Sequence, residues 1–141
     1  MLLLALAAGA PVMLAPESEI GWLPVELTDA AADDPVLGGL PRRFDAFQWH
    51  SYTYGLPAGA VELARSPVCT QSYRLGAHVW AIQFHAEITA PQVDSWIEEE
   101  PDAAAPSLSA ETHERIDAWQ ELGRRLSGAF VSVAERARVA A

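Results

Sequence analysis

The sequence contains no lysine, and arginine alone provides its nine basic residues. Nineteen acidic residues give a formal net charge of −10 and a sequence pI of about 4.6. Proteins that bind nucleic acid neutralise phosphates with clustered basic residues. Here the basic clusters are only short arginine pairs, at 42–43, 124–125 and 136 with 138. We therefore predict that neither nucleic acid nor an anionic membrane surface is a partner.

Cysteine is equally scarce, because Cys69 is the only one in the chain. A single cysteine excludes an internal disulfide framework and is typical of a reducing compartment, so we predict a cytoplasmic location. A metal site would then depend on histidine and carboxylate ligands. The histidines show neither an HExxH nor a His-x-His pattern, and we predict no metal. They are His50, His78, His85 and His113.

The sequence also lacks an apolar run long enough to span a bilayer. Residues 1–10 are apolar, but a membrane-spanning helix needs about 20 such residues. The same segment lacks the basic residues that precede the apolar core of a secretory signal peptide. A signal peptide and a buried helix that starts abruptly at Met1 are the two interpretations, and we favour the buried helix.

Length and composition suit one globular domain. The chain has 141 residues, of which 50% are hydrophobic and 20% are charged, enough for a usable core. The periodicity predicts a β-rich region followed by helices, which is typical of an α/β or α+β layer fold. We predict helices over residues 2–8, 91–100 and 109 onward; strands over 11–15, 22–27, 44–49, 61–66, 69–75 and 78–84; a turn at 16–19; and loops at 28–41 and 52–60.

A histidine and a carboxylate lie two residues apart in the segment Gln83-Phe84-His85-Ala86-Glu87, at the end of the last predicted strand. Side chains at i and i+2 of a strand share one face, so His85 and Glu87 should lie side by side. The carboxylate would orient the imidazole, and histidine is suited to be a general base near neutral pH. The alternative is a structural pair. A catalytic pair would also need a nucleophile.

Several segments together resemble the class I, or triad-type, glutamine amidotransferases over about residues 3–97. Residues 83–87 are similar to the Q-F-H-P-E motif of that family, with Ala86 in place of the proline. Residues 19–22, residues 47–64 and the hairpin 69–76 resemble the stand-alone branch that is similar to the glutaminase domain of GMP synthase. Each segment alone is weak, but their order and spacing are specific.

The resemblance implies a doubly wound, flavodoxin-like α/β fold, incomplete at the N-terminus and extended by a C-terminal helix. Residues 1–100 would be the C-terminal part of the amidotransferase-like domain. Residues 101–108 would be a linker, and 109–141 an amphipathic helix packed on the same domain. The family hydrolyses glutamine with a Cys-His-Glu triad, needs no cofactor for it, and passes ammonia to a synthase partner or another acceptor.

The resemblance also implies roles for individual residues. His85 would be the general base and Glu87 its orienter. Ser51 and Tyr52 would hold the substrate glutamine through their backbone. The family places its nucleophile in a G-x-C-x-G turn between a strand and a helix, and the 141 residues contain no such motif.

Residues 2–8 resemble the helix that follows this turn, so we expect the chain to begin just past the missing cysteine. Without the nucleophile we expect the chain to be inactive, and the incomplete sheet predicts that it associates with itself.

Two other hypotheses remain open. The chain could be a non-catalytic, amidotransferase-like binding module. It could instead be a thiol hydrolase that uses Cys69 with His85. Cys69 lies in a predicted strand, without the helix N-terminus that lowers a thiol pKa, and its structural interpretation is a small, partly buried hydrophobic residue.

Overall fold

The computed structural model describes residues 1–139, which form one mixed α/β unit. The mixed class expected from the sequence is therefore confirmed. The strands are β1 (Val12–Leu27), β2 (Arg43–Tyr54), β3 (Ala60–Arg65), β4 (Thr70–Leu75) and β5 (Val79–Ile82). The helices are α1 (Leu2–Ala7), α2 (Ala90–Glu99) and α3 (Leu108–Val139), with a short 3-10 helix at Asp29–Ala31.

The five strands form one sheet in the order β2-β1-β3-β4-β5, and the pairings within residues 1–139 are antiparallel. Strand β1 is the longest and pairs with β2 over residues 12–14 and 19–26. This pairing places Glu19 of β1 directly opposite His50 of β2.

The turn predicted at residues 16–19 is wrong, because these residues lie inside β1. The ladder to β2 is interrupted between Leu14 and Glu19, where the register shifts. Pro16 has no N–H to donate and falls in this interruption, where no ladder bond is lost. Gly21 follows with a φ of 111°, and a Cβ there would lie 3.4 Å from Leu108 Cδ1 of α3. A larger residue would be strained in that backbone.

Two other predicted boundaries also move. Strand β2 continues to Tyr54, so the loop predicted from residue 52 begins later. Pairing of residues 52–54 with residues 12–14 of β1 explains the longer strand. Strand β5 ends at Ile82 rather than at residue 84, since the chain leaves the sheet there and enters the turn that precedes α2.

The main core lies between the sheet and helices α2 and α3. Phe47, Phe84, Ile88, Val93 and Trp119 are buried there. A smaller cluster forms between α1 and the sheet, around Ala5, Tyr54 and Tyr73. Within residues 1–139, no helix is both long and apolar enough to cross a membrane. The domain bounds at residues 100 and 108 stay a prediction.

Candidate active site

His85 and Glu87 meet in the turn that follows β5. The imidazole Nδ1 lies 2.8 Å from Glu87 Oε1. The predicted proximity is present, but alternation along a strand does not cause it, because β5 has ended at Ile82. A turn at residues 86–87 brings the two side chains together. The histidine side chain is 29% exposed and the glutamate 68% exposed, so the pair lies at the surface.

The backbone of His85 is held from both sides. Its amide donates a hydrogen bond to the Phe47 carbonyl of β2, at 2.9 Å. Its carbonyl accepts a hydrogen bond from Trp119 Nε1 of α3, at 2.8 Å. The imidazole also contacts the ring of Trp96 edge to face, with centroids 5.2 Å apart. Strand and helices together therefore fix the direction in which the imidazole points.

Helix α3 approaches this turn closely at Gly123. A Cβ at that position would lie 2.3 Å from the Ala86 carbonyl oxygen, which is closer than real atoms approach. Glycine is thus required for α3 to pack against the backbone between His85 and Glu87. A cavity of about 580 Å³ opens beside the same turn, lined by Glu87, Phe84 and residues of α3 that include Gln120 and Arg124.

The electrostatics of the pair favour an ionised carboxylate. The hydrogen bond from His85 lowers the pKa of Glu87 below its ordinary value of 4.5, and partial burial opposes this shift. At neutral pH the glutamate is therefore negative and accepts the Nδ1 proton. A carboxylate in this position selects the tautomer in which Nε2 carries the free lone pair.

Ser51 and Tyr52, the predicted substrate residues, lie in β2 rather than in a loop. Ser51 Oγ is 2.8 Å from Ser18 Oγ, and the Tyr52 side chain is exposed. Gln83 Nε2 donates to the Tyr52 carbonyl at 3.0 Å. Gln83 therefore links this strand to the turn that contains His85. Among the described residues, no hydrogen bond joins the side chain of Ser51 or Tyr52 to His85.

The sequence alone did not indicate that link, although Gln83 belongs to the recognised motif. A motif shows that a residue is present, but the partner of a side-chain amide depends on tertiary structure. The catalytic and substrate-binding roles of His85, Glu87, Ser51 and Tyr52 stay predictions.

Cys69 lies in a different environment from the one that a partnership with His85 requires. Its Sγ donates to Glu19 Oε2 at 3.2 Å. Burial raises the pKa of Cys69 to about 11, and the adjacent Glu19 adds to the shift. The thiol is thus protonated at neutral pH, which disfavours a nucleophilic role. Among residues 1–139, no hydrogen bond joins Cys69 to His85.

Comparison with curated proteins identifies two sequence relatives of this chain. The chain is 34% identical over 93 residues to the glutamine amidotransferase-like protein YfeJ of Salmonella typhimurium. It is 36% identical over 98 residues to the glutamine-hydrolysing GMP synthase of Thermomicrobium roseum. The chain is a homologue of glutamine amidotransferase-like proteins. The resemblance found in the motifs is thereby confirmed, although no family model matches the chain.

Solved structures agree on the fold. A glutamine amidotransferase from Methylobacillus flagellatus superposes with a TM-score of 0.84 over 94% of this chain, at 24% identity. A glutamine amidotransferase from Thermotoga maritima gives a TM-score of 0.64 over 94% of the chain, at 29% identity. The chain described here therefore has a glutamine amidotransferase fold.

The matched proteins are longer than this chain. The alignments cover 65% of the chain but 39% of YfeJ, and 69% of the chain but 18% of the GMP synthase. The chain covers 59% of the Methylobacillus structure and 56% of the Thermotoga structure. The chain thus spans well under half the length of the curated relatives that it matches.

Proposed function

We propose that this chain forms the histidine–glutamate half of a glutaminase site in a glutamine amidotransferase. The observation behind the proposal is the 2.8 Å contact between His85 Nδ1 and Glu87 Oε1, in a turn held by β2 and α3. The homologues argue for glutamine as the substrate, since one is named for glutamine hydrolysis.

In the proposed reaction, His85 Nε2 takes the proton of a cysteine thiol. The thiolate attacks the side-chain amide carbon of glutamine. The imidazolium returns its proton to the leaving nitrogen, so ammonia departs and a thioester forms. His85 then takes a proton from water, which attacks the thioester and releases glutamate and the thiol. Glu87 stabilises the imidazolium in each step.

The nucleophile is the part that these residues do not supply. The 141 residues contain no G-x-C-x-G motif, and Cys69 contacts Glu19 rather than His85. We therefore propose that the thiol belongs to a cysteine outside this sequence, and that the 141 residues alone do not hydrolyse glutamine. The acceptor of the ammonia would be a synthase partner or another nucleophile.

The test begins with the DNA upstream of the Met1 codon. An in-frame G-x-C-x-G segment there would allow the extended chain to be expressed and assayed for release of glutamate from glutamine. We expect activity in the extended chain and none in the 141 residues. Since a general base contributes about 100-fold or more, His85→Asn should lower kcat by at least that factor. Glu87→Gln should lower kcat because it removes the orienting charge.

His113→Gln is the matched control. His113 also pairs with a carboxylate, with Nε2 3.0 Å from Asp94 Oδ2, but it lies on α3 away from the turn. Its kcat should equal that of the parent protein. Unchanged activity in His85→Asn would contradict the proposal. A stop codon directly upstream of Met1 would contradict the proposed source of the cysteine.

A non-catalytic binding module is the second candidate, favoured by the missing nucleophile motif. It predicts no release of glutamate even when an upstream cysteine segment is present. Binding of glutamine without turnover, measured by calorimetry on the extended chain, would support this candidate over the first.

A further inference from the structure

A second group of chemically active side chains lies close together in the sheet, and the proposed glutaminase reaction does not use it. It consists of Glu19, His50 and Cys69, which we call the Glu-His-Cys cluster. One ligand atom from each lies within 4.8 Å of the others. Glu19 Oε2 is 3.2 Å from Cys69 Sγ and 3.5 Å from His50 Nε2.

We propose that the Glu-His-Cys cluster is a binding site for a divalent cation of the zinc type. Carboxylate, imidazole and thiolate are the ligands that zinc uses in proteins. Metal–ligand bonds of about 2.0 to 2.3 Å in a tetrahedron separate neighbouring ligand atoms by roughly 3.3 to 3.8 Å. The separations of 3.2 and 3.5 Å are close to that range. Three protein ligands leave a fourth position open.

The fold holds two of these ligands, Glu19 and His50, on strands. Glu19 and His50 are register partners in the β1–β2 ladder, so their side chains lie on one face of the sheet. Cys69 directly precedes β4, and its amide donates to Ser66 Oγ at 3.1 Å. Strand-borne ligands keep their spacing better than ligands on loops.

Charge gives an independent reason for a cation at this place. Glu19 is only 2% exposed, and the sequence has no lysine to pair with it. Within residues 1–139, its one salt-bridge partner is His50, whose Nε2 lies 3.5 Å from Glu19 Oε2. Buried carboxylates in proteins are usually paired with a cation or bound to a metal. A divalent cation with carboxylate, thiolate and neutral imidazole gives a net charge of zero.

The surrounding polar atoms suit the outer shell of such a site. Gln71 Nε2 donates to Glu19 Oε2 at 2.9 Å and would keep the carboxylate in place when the thiol proton is lost. His50 Nδ1 is buried and has no hydrogen-bond partner among the described residues. A metal on Nε2 would replace its present 3.0 Å contact with Gln48 Oε1, and Nδ1 would then carry the ring proton.

A simple hydrogen-bond network is the competing interpretation. In it, Glu19 accepts protons from Cys69 and Gln71 and binds no ion. The two interpretations differ in whether the thiol can become a metal thiolate, and that difference is measurable. The sequence predicts no metal because its histidines show no local metal-binding pattern. The ligands of the Glu-His-Cys cluster come from three separate segments, which such patterns do not detect.

The experiment titrates the metal-free 141-residue protein with Co²⁺ and follows the ultraviolet absorption of cobalt thiolate. Because Cys69 is the only cysteine, any such band reports this one side chain. We expect one Co²⁺ per chain and displacement by Zn²⁺. Cys69→Ser should abolish the band, and Glu19→Gln should weaken binding at least about tenfold. His113→Gln, which alters a surface histidine–carboxylate pair, should change neither.

A second measurement needs no variant and so does not depend on variant folding. Saturating Zn²⁺ should slow the alkylation of Cys69 by iodoacetamide at least about tenfold relative to the protein in excess chelator, since a metal-bound thiolate is shielded from the reagent. Equal rates, or the absence of a thiolate band in the parent protein, would overturn the proposal. Neither readout involves glutaminase activity, so the two proposals can fail separately.

Discussion

At the scale of single residues, the contact between His85 and Glu87 lowers the pKa of the glutamate. The folded-state pKa of Glu87 lies below its ordinary 4.5 because His85 donates to it. The contact therefore stabilises the fold above pH 4.5, and this stabilisation is lost as the pH falls through the folded-state pKa. The contribution is small, since the glutamate side chain is mostly exposed.

We predict that His85→Asn raises the pKa of Glu87 back toward 4.5, because the principal cause of its lowering is removed. Carboxyl chemical shifts followed by NMR through the acid range measure the change. Asp94 provides an internal control: Ser109 and His113 lower its pKa, and its titration should not move. A Glu87 titration identical in both proteins would disprove the assigned cause.

Asp34 is a second residue whose contacts determine stability. Its side chain is fully buried and accepts hydrogen bonds from Arg74 Nε at 3.0 Å and Trp80 Nε1 at 3.1 Å. It also accepts the amides of Val36 and Leu37. The loop 34–40 therefore depends on one carboxylate.

We predict that Asp34→Ala lowers the free energy of unfolding by about 3 to 5 kcal/mol, because it leaves partly buried donors unpaired. Urea denaturation measures the loss. Asp33→Ala is the matched control, since the neighbouring carboxylate is exposed and its removal should have little effect. Similar losses in both variants would show that loop composition, rather than these contacts, is responsible.

The proximity of the three residues in the Glu-His-Cys cluster could not be predicted from the sequence. Glu19 and Cys69 are 50 residues apart, and only the tertiary fold brings them together. His85 and Glu87, by contrast, are near neighbours in a local motif. Local motifs can be recognised from sequence, whereas ligands from separate segments can be recognised only when the fold is known.

At the scale of secondary-structure elements, local chemistry was predictable and sheet geometry was not. Helix α2 was expected at residues 91–100 and lies at Ala90–Glu99, because its capping residues are neighbours: Gln92 Oε1 accepts the Thr89 amide at 3.0 Å. The turn predicted at Pro16 is instead a register shift inside β1. The pairing of β1 with β2 determines whether these residues form a turn or a register shift. The sequence of the segment alone does not reveal that pairing.

The close packing of α3 against the turn that contains His85 gives an element-scale prediction. Gly123→Ala should lower the free energy of unfolding by about 1 to 3 kcal/mol, because its Cβ would overlap the Ala86 carbonyl. Gly128→Ala is the control within the same helix. It has no atom within 4 Å of a built Cβ and should gain about 1 kcal/mol from helix propensity. Stabilisation by both changes would mean that α3 moves freely away from the turn.

At the scale of the whole molecule, apolar side chains remain exposed on α1 and on the first half of β1. Leu3 is 81% exposed, Leu14 67%, Leu6 54% and Met13 44%. Exposed apolar patches of this kind promote association.

We predict that the 141-residue chain associates with itself, and that Leu3→Glu combined with Leu14→Glu reduces its mass toward that of a monomer. Sedimentation velocity measures the change. Val131→Glu replaces another exposed apolar residue, 52% exposed, on α3 and should leave the mass unaltered. A parent protein that sediments as a monomer at all concentrations would contradict the prediction.

The hydrogen bond from the Trp119 indole to the His85 carbonyl spans 34 residues of sequence. An indole N–H gives its own proton resonance, and its solvent exchange is slow only while the acceptor stays in place. Trp119 is thus a built-in spectroscopic reporter of the turn. Ligand entry, variant effects or loosening of α3 could each be followed at this one nucleus, with no label attached to the reacting groups.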